Sequence, residues 1–280
     1  MRILNHADVL SMIPDRAPES HKGNYGKLLL LCGSVGYTGA PALAAMAALR
    51  TGAGLVYLGV PQAIYEIEAG KLLEPVVFPL DCDNGAYATT ASGQIRDLLH
   101  RVDAVLIGPG SGRTAGVSDV LETVLKEFSG PVVIDADGIS LLSEHKDLVR
   151  GRCGQTILTP HNGEFVRLYG EIGSDRKHAA ETLAKNLNAV VLLKGHRTII
   201  TDGYTSYENH TGNPGMAVGG SGDVLAGMIV ALLGHRLPPL EAAACGAWLH
   251  GAAGDLCAEK FGQYSMLPSD MLNMLPRLLK

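Results

Sequence analysis

The stretch KLLLLCGSVGYTGAPALAAMAALR, residues 27–50, decides the fold of this chain. It begins with a lysine and the run LLLLC, which is apolar at every position, as is typical of a strand in a parallel sheet with both faces covered. A glycine-rich turn follows, and then an alanine-rich segment of helical composition. The stretch therefore predicts a buried strand, a turn and a helix, which together form the first half of a βαβ unit.

The same alternation recurs along the chain. Seven apolar runs have strand length, namely KLLLLCG from Lys27, GLVYLGV from Gly54, AVLIGPG from Ala104, PVVIDAD from Pro131, TILTP from Thr156, AVVLLKG from Ala189 and RTIITDG from Arg197. Segments of helical composition occupy residues 40–51, 90–100, 117–128, 176–188, 224–233 and 240–260. We therefore predict an α/β fold, a three-layer α/β/α sandwich with a mostly parallel central sheet, and a single domain over residues 1–280.

Composition excludes several classes of protein. The chain has 280 residues, of which 46% are hydrophobic, so it can bury a large core and is neither disordered nor fibrous. The formal net charge is −5, which leaves no global basic field, and we expect no nucleic-acid partner. Five widely spaced cysteines without a CxxC pair favour a reduced, cytoplasmic setting. We find neither a signal peptide nor an apolar run of membrane-spanning length, so we expect a soluble protein with no membrane partner.

The strongest local signal is GNPGMAVGGSGD, residues 212–223, followed directly by the helical run VLAGMIVALLG. Glycines before a helix start let backbone N–H groups converge on an anion, and the helix dipole adds partial positive charge there. The segment predicts a phosphate site whose anion hole is Gly219, Gly220, Ser221 and Gly222. A phosphate would repel Asp223, so this carboxylate indicates a base that takes a proton from a hydroxyl group at a terminal phosphoryl group. The alternative is that Asp223 only occupies the first helical turn, where acids are favoured.

Four further polar or glycine-rich turns follow predicted strands: GSVGYTGA at 33–40, GPGSG at 108–112, DAD at 135–137 and TPHNGE at 159–164. The carboxyl ends of parallel strands lie along one edge of a sheet, so we expect these turns to meet in one cleft. The first turn lacks GxGxxG spacing, and no acid follows the second strand. A loop that admits a bulky ligand is therefore favoured over a dinucleotide-binding turn.

The side chains in these turns each have a structural alternative. Asp135, Asp137 or Glu164 could orient a water molecule on Mg²⁺ or cap the next helix. His161 could contact a ligand or pack in its loop. The segment KGHRT, 194–198, could bring a lysine to phosphate and a threonine to a nucleotide, or form a solvated hairpin tip. No Walker A, HExxH, GxSxG or EF-hand pattern occurs, so hydrolase and zinc chemistry have no support.

Taken in order, these segments resemble one known family. HKGNYGKLLLLCGSVGYTGAPALAAMAALRTGAGLV, GPGSG, PVVIDADGISLL, LTPHNGEF, VVLLKGHRTIITDG and NHTGNPGMAVGGSGDVLAGMIVALL together resemble the ADP-dependent NAD(P)H-hydrate dehydratases, from about His21 to about Glu259. The same family forms the carboxy-terminal half of bifunctional repair enzymes. The resemblance implies a ribokinase-like fold and a repair reaction, in which ADP drives dehydration of the S form of hydrated NADH or NADPH and AMP and phosphate are released.

The resemblance also implies roles for individual residues. The positions that match hydrate-binding ones are Ala40, Gly110, His161 and Asp223. The positions that match nucleotide-contacting ones are Lys194, Gly195, His196, Arg197, Thr198 and Gly222. Asp223 would deprotonate the ring hydroxyl, whose phosphorylation turns a poor leaving group into a good one, and Mg²⁺ is expected with the nucleotide. The chain departs from the family at Asn162, where proline is common, and at His196 and Arg197, where residues are small.

The resemblance further implies partners. Only twenty residues precede the matching region, too few for an epimerase domain, so we expect epimerisation of the hydrates to be left to a separate protein. A homotetramer is expected from the family. Two other functions use parts of the same pattern. A ribokinase-like kinase of a small alcohol would share the glycine turn and the aspartate, whereas a non-catalytic nucleotide-binding regulator would not need Asp223.

Overall fold

A computed structural model describes residues 1–279, and a nine-stranded sheet lies at its centre. The strands of the chain are β1 (Lys27–Leu31), β2 (Leu55–Pro61), β3 (Val76–Leu80), β4 (Cys82–Asp83), β5 (Ala86–Tyr87), β6 (Ala104–Ile107), β7 (Val132–Ile134), β8 (Thr156–Leu158), β9 (Val190–Leu193), β10 (Ile199–Thr201) and β11 (Ser206–Glu208). The order across the sheet is β11-β10-β9-β8-β7-β6-β1-β2-β3, while β4 and β5 form a separate small hairpin. All seven predicted strands are present.

The sheet is mostly parallel, as predicted. β1 lies between β2 and β6 and is parallel to both. The parallel pairing continues through β7, β8 and β9, and only β10 is antiparallel to its two neighbours. The carboxyl ends of β1, β6, β7, β8 and β9 therefore lie along one edge of the sheet.

Helices cover both faces of the sheet. They are α1 (His6–Met12), α2 (Gly39–Arg50), α3 (Tyr65–Lys71), α4 (Ala91–Leu99), α5 (Ala115–Glu127), α6 (Asp137–Leu141), α7 (Lys146–Gly151), α8 (Asn162–Tyr169), α9 (Arg176–Leu187), α10 (Ser221–Gly234), α11 (Pro239–Phe261) and α12 (Pro268–Met274). Short 3₁₀ turns occupy Lys22–Tyr25, Gln62–Ile64, Leu142–Glu144, Pro214–Met216 and Leu275–Arg277. No helix among residues 1–279 combines the length and the apolarity needed to cross a bilayer.

The leucines of β1 show why this strand is apolar at every position. Leu28 and Leu30 belong to the core on the side of α2, α10 and α11, whereas Leu29 and Leu31 belong to the core on the side of α4, α5 and α9. All four are fully buried because successive side chains of a strand point to opposite faces. The three-layer α/β/α sandwich is thereby confirmed.

The elements that the sequence did not predict are mostly short or lie at edges. β3 contains Pro79, which lacks a backbone N–H and is tolerated at the edge of a sheet. β11 lies at the other edge and has the polar sequence Ser206–Glu208. The helices α1, α3, α6, α7, α8 and α12 have five to eight residues each, too few for a clear hydrophobic period.

Two helices that begin at the same edge of the sheet pack unusually closely. A Cβ atom added at Gly227 of α10 would lie 2.2 Å from the backbone carbonyl oxygen of Ala44 in α2. Only glycine permits that approach. The contact fixes the start of α10, which carries the glycine turn, relative to the loop between β1 and α2.

One residue at this edge has a strained backbone. Ala136, between β7 and α6, has φ 50° and ψ −117°, a conformation that is populated almost only by glycine. It separates Asp135 from Asp137, and the sharp turn sends these two carboxylates into different surroundings. The strain is a cost that the packing of β7 and α6 must offset.

We expect Ala136→Gly to raise the free energy of unfolding by about 1 kcal/mol, since the relief of strain exceeds the entropy that glycine adds to the unfolded chain. Ala184→Gly, in the middle of α9, serves as the control, and this substitution should instead lower the free energy of unfolding by about 1 kcal/mol or more. Urea denaturation of both variants measures the difference. If both variants lose the same free energy of unfolding, the backbone of Ala136 is not strained.

Candidate active site

The candidate site, here called the cleft, lies at the carboxyl edge of the sheet, where loops from separate parts of the chain are hydrogen-bonded together. The backbone N–H of Gly33, after β1, donates to the carbonyl of Pro109, after β6, at 2.8 Å. The hydroxyl of Ser34 donates to the carbonyl of Gly110 at 2.7 Å. On the other side, the N–H of Lys194, after β9, donates to the carbonyl of Pro160, after β8, at 2.8 Å. The predicted meeting of these turns is what the structure shows.

A buried ion pair lies at the centre of this edge. The Nζ atom of Lys194 is 2.6 Å from Oδ1 of Asp135, and the hydroxyl of Thr159 donates to the same oxygen at 2.7 Å. Asp135 is only 1% exposed. Burial acts to lower the pKa of Lys194, but the carboxylates of Asp135 and Glu164 outweigh it, and the net pKa is raised. The ammonium group therefore keeps its charge beside the glycine turn.

Gly222 lies against this ion pair. A Cβ atom added at Gly222 would be 3.3 Å from Nζ of Lys194 and 3.8 Å from Oδ2 of Asp135. Gly222 and Lys194, which the family resemblance assigns to nucleotide contact, are thus neighbours although 28 positions separate them. An anion at the start of α10 would meet both the helix dipole and a lysine.

The glycine turn begins α10 as predicted. Gly220 is the N-cap residue and has φ +96°, which favours glycine. A Cβ atom at Gly219 would meet nothing within 4 Å, so this position is open. The backbone N–H of Ser221 donates to the carbonyl of Val218 at 3.3 Å, a long hydrogen bond within the turn itself. The hydroxyl of Ser221 lies 3.2 Å from Nε2 of His250.

Asp223 occupies the first turn of α10, close to the ion pair. Burial, followed by the repulsion of Asp135, raises the pKa of Asp223 to about 7, while Lys194 acts to lower it. A carboxyl group with this pKa changes its protonation state near neutral pH, as a general base requires. Cys32, fully buried at the end of β1, has a pKa raised by burial and by the charges of Asp223 and Asp135.

The loop between β1 and α2 forms one wall of the cleft. A Cβ atom added at Gly110 would lie 3.0 Å from the Cβ atoms of both Ala40 and Tyr37, so the two predicted substrate positions Ala40 and Gly110 are in contact. Gly110 has φ +62° and Tyr37 is 62% exposed. Lys71 donates to the carbonyl of Thr38 at 2.9 Å and so anchors the loop from α3.

His161 caps a helix, and its ring is also half-exposed at the cleft. Its Nδ1 atom accepts from the backbone N–H groups of Gly163 and Glu164 at 2.9 and 3.2 Å. The carboxylate of Glu164 accepts from the N–H of His161 at 2.9 Å, which completes a capping box at the start of α8. The Nε2 atom lies 3.4 Å from Oε1 of Glu164, and the side chain is 55% exposed, so a ligand contact stays possible beside the capping role.

The segment from Lys194 to Thr198 is the tip of the β9–β10 hairpin. Lys194 is largely buried, whereas His196 and Arg197 are exposed. Gly195 has φ +152° and lies under the guanidinium of Arg176, which donates to the carbonyls of Lys194 and His196 at 2.9 and 3.0 Å. The tip is therefore rigid at its base and solvated at its end.

Arg197, one of the departures from the family, is tied to the strand that leads to the glycine turn. Its guanidinium contacts Nδ1 of His210 and lies 3.8 Å from the carboxylate of Glu208. The carboxylate of Glu208 is also 2.6 Å from Nε2 of His210. These contacts hold the Arg197 side chain along β11.

The carboxylates considered for Mg²⁺ differ in their surroundings. Asp137 accepts from the N–H of Gly112 at 3.0 Å and from Arg113 at 2.9 Å, so it ties the loop after β6 to α6. Glu164 is 7% exposed, and burial raises its pKa. Among residues 1–279, no group of three or more His, Cys, Asp or Glu side chains is arranged to hold a metal ion.

Two residues of α11 that were not among the predicted site residues support the glycine turn. The carboxylate of Asp255 accepts from the N–H of Gly212 at 2.9 Å and from the amide of Asn213 at 3.0 Å. His250, which precedes Asp255 by five residues in α11, contacts the hydroxyl of Ser221 in α10. The signal was present in the sequence, because a histidine and an acid interrupt the otherwise apolar stretch LHGAAGD, residues 249–255.

Solved structures share this fold. A ribokinase-like superfamily protein from Enterococcus faecalis superposes with a TM-score of 0.86 at 28% identity, over 99% of this chain and 94% of that one. An ADP/ATP-dependent NAD(P)H-hydrate dehydratase from Bacillus subtilis, co-crystallised with ATP and Mg²⁺, superposes with a TM-score of 0.85 at 31% identity, over 98% and 96%. The protein therefore has a ribokinase-like fold, as predicted.

Sequence relatives define its family. The sequence profile of the NAD(P)H-hydrate dehydratases matches residues 28–277. The chain is 39% identical to an ADP-dependent (S)-NAD(P)H-hydrate dehydratase of Neisseria meningitidis, over 88% of this chain and 82% of that protein. It is 43% identical to the bifunctional NAD(P)H-hydrate repair enzyme of Moorella thermoacetica, of which it covers 54%. The chain belongs to the NAD(P)H-hydrate dehydratase family, and it spans about half the length of the bifunctional relatives.

The raised pKa of Asp223 predicts a pH-dependent stability. The folded chain holds the proton of the Asp223 carboxyl more tightly than the unfolded chain does. The stability that comes from this proton is therefore fully present below about pH 4 and is lost as the pH rises through about 7. Asp223→Asn should therefore raise the free energy of unfolding relative to the original chain, by about 2 kcal/mol more at pH 8 than at pH 5. Denaturant titrations in phosphate-free buffer at the two pH values measure this.

Asp137→Asn is the matched control, because this nearby carboxylate accepts hydrogen bonds from Gly112 and Arg113. The loss of the Asp137 carboxylate should lower the free energy of unfolding at both pH values. If Asp223→Asn and the original chain differ in free energy of unfolding by the same amount at both pH values, the pKa of Asp223 is not raised.

Proposed function

We propose that this protein repairs nicotinamide nucleotides, by ADP-dependent dehydration of the S form of NADH-hydrate or NADPH-hydrate to NADH or NADPH with release of AMP and phosphate. The observation that carries the proposal is the position of Asp223, a carboxyl group with a pKa of about 7 at the start of α10. It lies beside the ion pair of Lys194 and Asp135 and next to Gly222. Membership of the family and the likeness to the two dehydratases support the same reaction.

In the first step, Asp223 takes the proton of the ring hydroxyl as that oxygen attacks the terminal phosphorus of ADP. The bond between the terminal phosphorus and the bridging oxygen breaks, and AMP leaves. The backbone of Gly219, Gly220 and Gly222, the hydroxyl of Ser221 and the ammonium of Lys194 stabilise the charge on the transferred phosphoryl group. In the second step, the carbon–oxygen bond breaks, phosphate leaves, and the ring loses a proton from the neighbouring carbon.

The substrate and the nucleotide would occupy different walls of the cleft. Ala40 and Gly110 are in contact, and with His161 they would hold the hydrated ring near Asp223. The hairpin from Lys194 to Thr198, with Gly195, His196 and Arg197, would hold the nucleotide. Most of the contacts there would run through the backbone, because the His196 and Arg197 side chains are exposed.

Two acidic residues, Asp135 and Glu164, would offer oxygens to a magnesium ion that is shared with the nucleotide. Oδ1 of Asp135 is used by Lys194 and Thr159, and Oδ2 faces Gly222. Glu164 uses one oxygen in its capping box and keeps the other near His161. Carboxylate oxygens suit Mg²⁺, so Asp135 and Glu164 would hold it together with phosphate oxygens. When bound, the ion would neutralise charge on the transferred phosphoryl group.

The setting of this reaction is part of the proposal. We propose a cytoplasmic homotetramer that works alongside an NAD(P)H-hydrate epimerase. The support is that the curated bifunctional relatives are named as repair enzymes of the same hydrates.

The test is the recovery of absorbance near 340 nm when the protein acts on hydrated NADH with Mg²⁺ and ADP, repeated with ATP and without nucleotide. Asp223→Asn should lower kcat about 1,000-fold, because the base is lost, while ADP affinity changes only a few-fold. For the original chain, kcat/KM should rise with pH through about 7, as the carboxyl loses its proton.

Two results would contradict this proposal. Near-normal turnover by Asp223→Asn would remove the base from the mechanism. No recovery of absorbance with either nucleotide, from protein that binds ADP, would favour a small-alcohol kinase, which leaves a stable phosphorylated product.

Gly222→Val tests the nucleotide side of the cleft. A side chain at this position would crowd Lys194, since a Cβ atom would lie 3.3 Å from its Nζ atom, and would occupy the space of the phosphate. We expect ADP affinity, measured by calorimetry, to fall about 10-fold or more, in line with about 1.4 kcal/mol per factor of ten. Gly93→Val, in α4 with nothing within 4 Å of the added Cβ atom, is the control. Equal ADP affinity in both variants would argue against this site.

A further inference from the structure

His250 lies behind the start of α10 and outside the cleft walls described above. It belongs to α11, and its Nε2 atom is 3.2 Å from the hydroxyl oxygen of Ser221. Burial lowers the pKa of His250 to about 4, a hydrogen bond with the backbone of Ser221 opposes that shift, and the charge of Lys194 lowers the pKa further. The imidazole is therefore neutral at working pH, and one of its nitrogens carries a proton while the other does not.

The position of that proton decides what Ser221 can offer a phosphate. If Nε2 carries the proton, the ring donates to the hydroxyl oxygen, and the hydroxyl hydrogen is free to point at an anion. If Nε2 is bare, the hydroxyl donates to the ring and turns its lone pairs outwards, which would repel an anion. Of the two arrangements, only the first gives an anion at the start of α10 a further hydrogen-bond donor.

The hydroxyl is the donor that Ser221 can offer an anion, because the backbone N–H of this residue is already used. Its N–H donates to the carbonyl of Val218 within the glycine turn, at 3.3 Å. That N–H is therefore drawn away from an incoming anion, and the side chain is the stronger donor that this residue has. A donor held in place before the reaction contributes more than one that must first rotate into position.

We propose that His250 is a positioning residue, which donates from Nε2 to the Ser221 hydroxyl and so keeps that hydroxyl as a hydrogen-bond donor toward the transferred phosphoryl group. This inference rests on the proposed dehydratase function. His250 touches neither substrate nor nucleotide and acts only through Ser221.

A matched pair of amide variants tests this role. The side-chain nitrogen of His250→Gln reaches approximately the place of Nε2, whereas that of His250→Asn reaches only the place of Nδ1. We expect His250→Gln to keep kcat within about 3-fold, and His250→Asn to lower kcat about 10-fold to 100-fold, since the loss of one such donor costs about 100-fold or more in related sites. KM for ADP should change less than kcat in both variants.

The double variant with Ser221→Ala separates positioning from general damage to the fold. Ser221→Ala alone should lower kcat as much as His250→Asn does, and His250→Asn combined with Ser221→Ala should be no slower than Ser221→Ala alone. Multiplied losses in the double variant would overturn the proposal. So would equal kcat values for His250→Gln and His250→Asn.

His235 provides the control for a histidine that is needed only for stability. It caps the opposite end of α10, with Nε2 3.0 Å from the carbonyl of Gly52, and burial lowers its pKa as well. His235→Asn should lower the melting temperature without lowering kcat. If the original chain does not turn over the hydrate, the proposed function itself fails and this inference with it. If the original chain turns over and the His250 variants match it, only the inference fails.

Discussion

A buried ammonium group at the ends of the central strands requires a counter-charge, and Asp135 supplies one at 2.6 Å from Lys194. The pair joins β7 to β9, and Thr159 adds a bond from β8, so three neighbouring strands are tied together at one edge. Because the pair holds Lys194 beside Gly222, the start of α10 has a fixed positive charge in addition to its dipole. An anion would be met by charge that is already in place, which is the arrangement that stabilises a phosphoryl group most effectively.

Burial and one member of this pair, Asp135, together raise the pKa of Asp223, whereas Lys194 acts to lower it. Burial and the negative charge of Asp135 disfavour a second carboxylate, so the pKa of Asp223 rises to about 7. The cost appears in stability, since the folded chain is penalised whenever this group ionises. Ala136 adds a second local cost, because its strained backbone is what separates Asp135 from Asp137. Both costs lie at the cleft, whereas β1 and the close contact of Gly227 with Ala44 are free of such conflicts.

Much of the fold could be predicted because burial on both faces leaves a clear pattern. Seven strands were found from their apolar runs, and the layers on each side follow from the alternation of Leu28 to Leu31. The strands at the two edges, β3 and β11, were missed because an edge strand can be polar or contain proline. Six short helices were missed because five to eight residues do not show a hydrophobic period.

The sequence by itself determined the kind of fold, the glycine turn before α10 and the candidates Asp223, Gly222 and Lys194, since each depends on residue types within a few positions of one another. Only the tertiary structure decided that Asp135 pairs with Lys194 and that His250 lies behind Ser221. These contacts join residues 59 and 29 positions apart. Pairings over such distances depend on strand order and helix packing, which no local pattern of residues encodes.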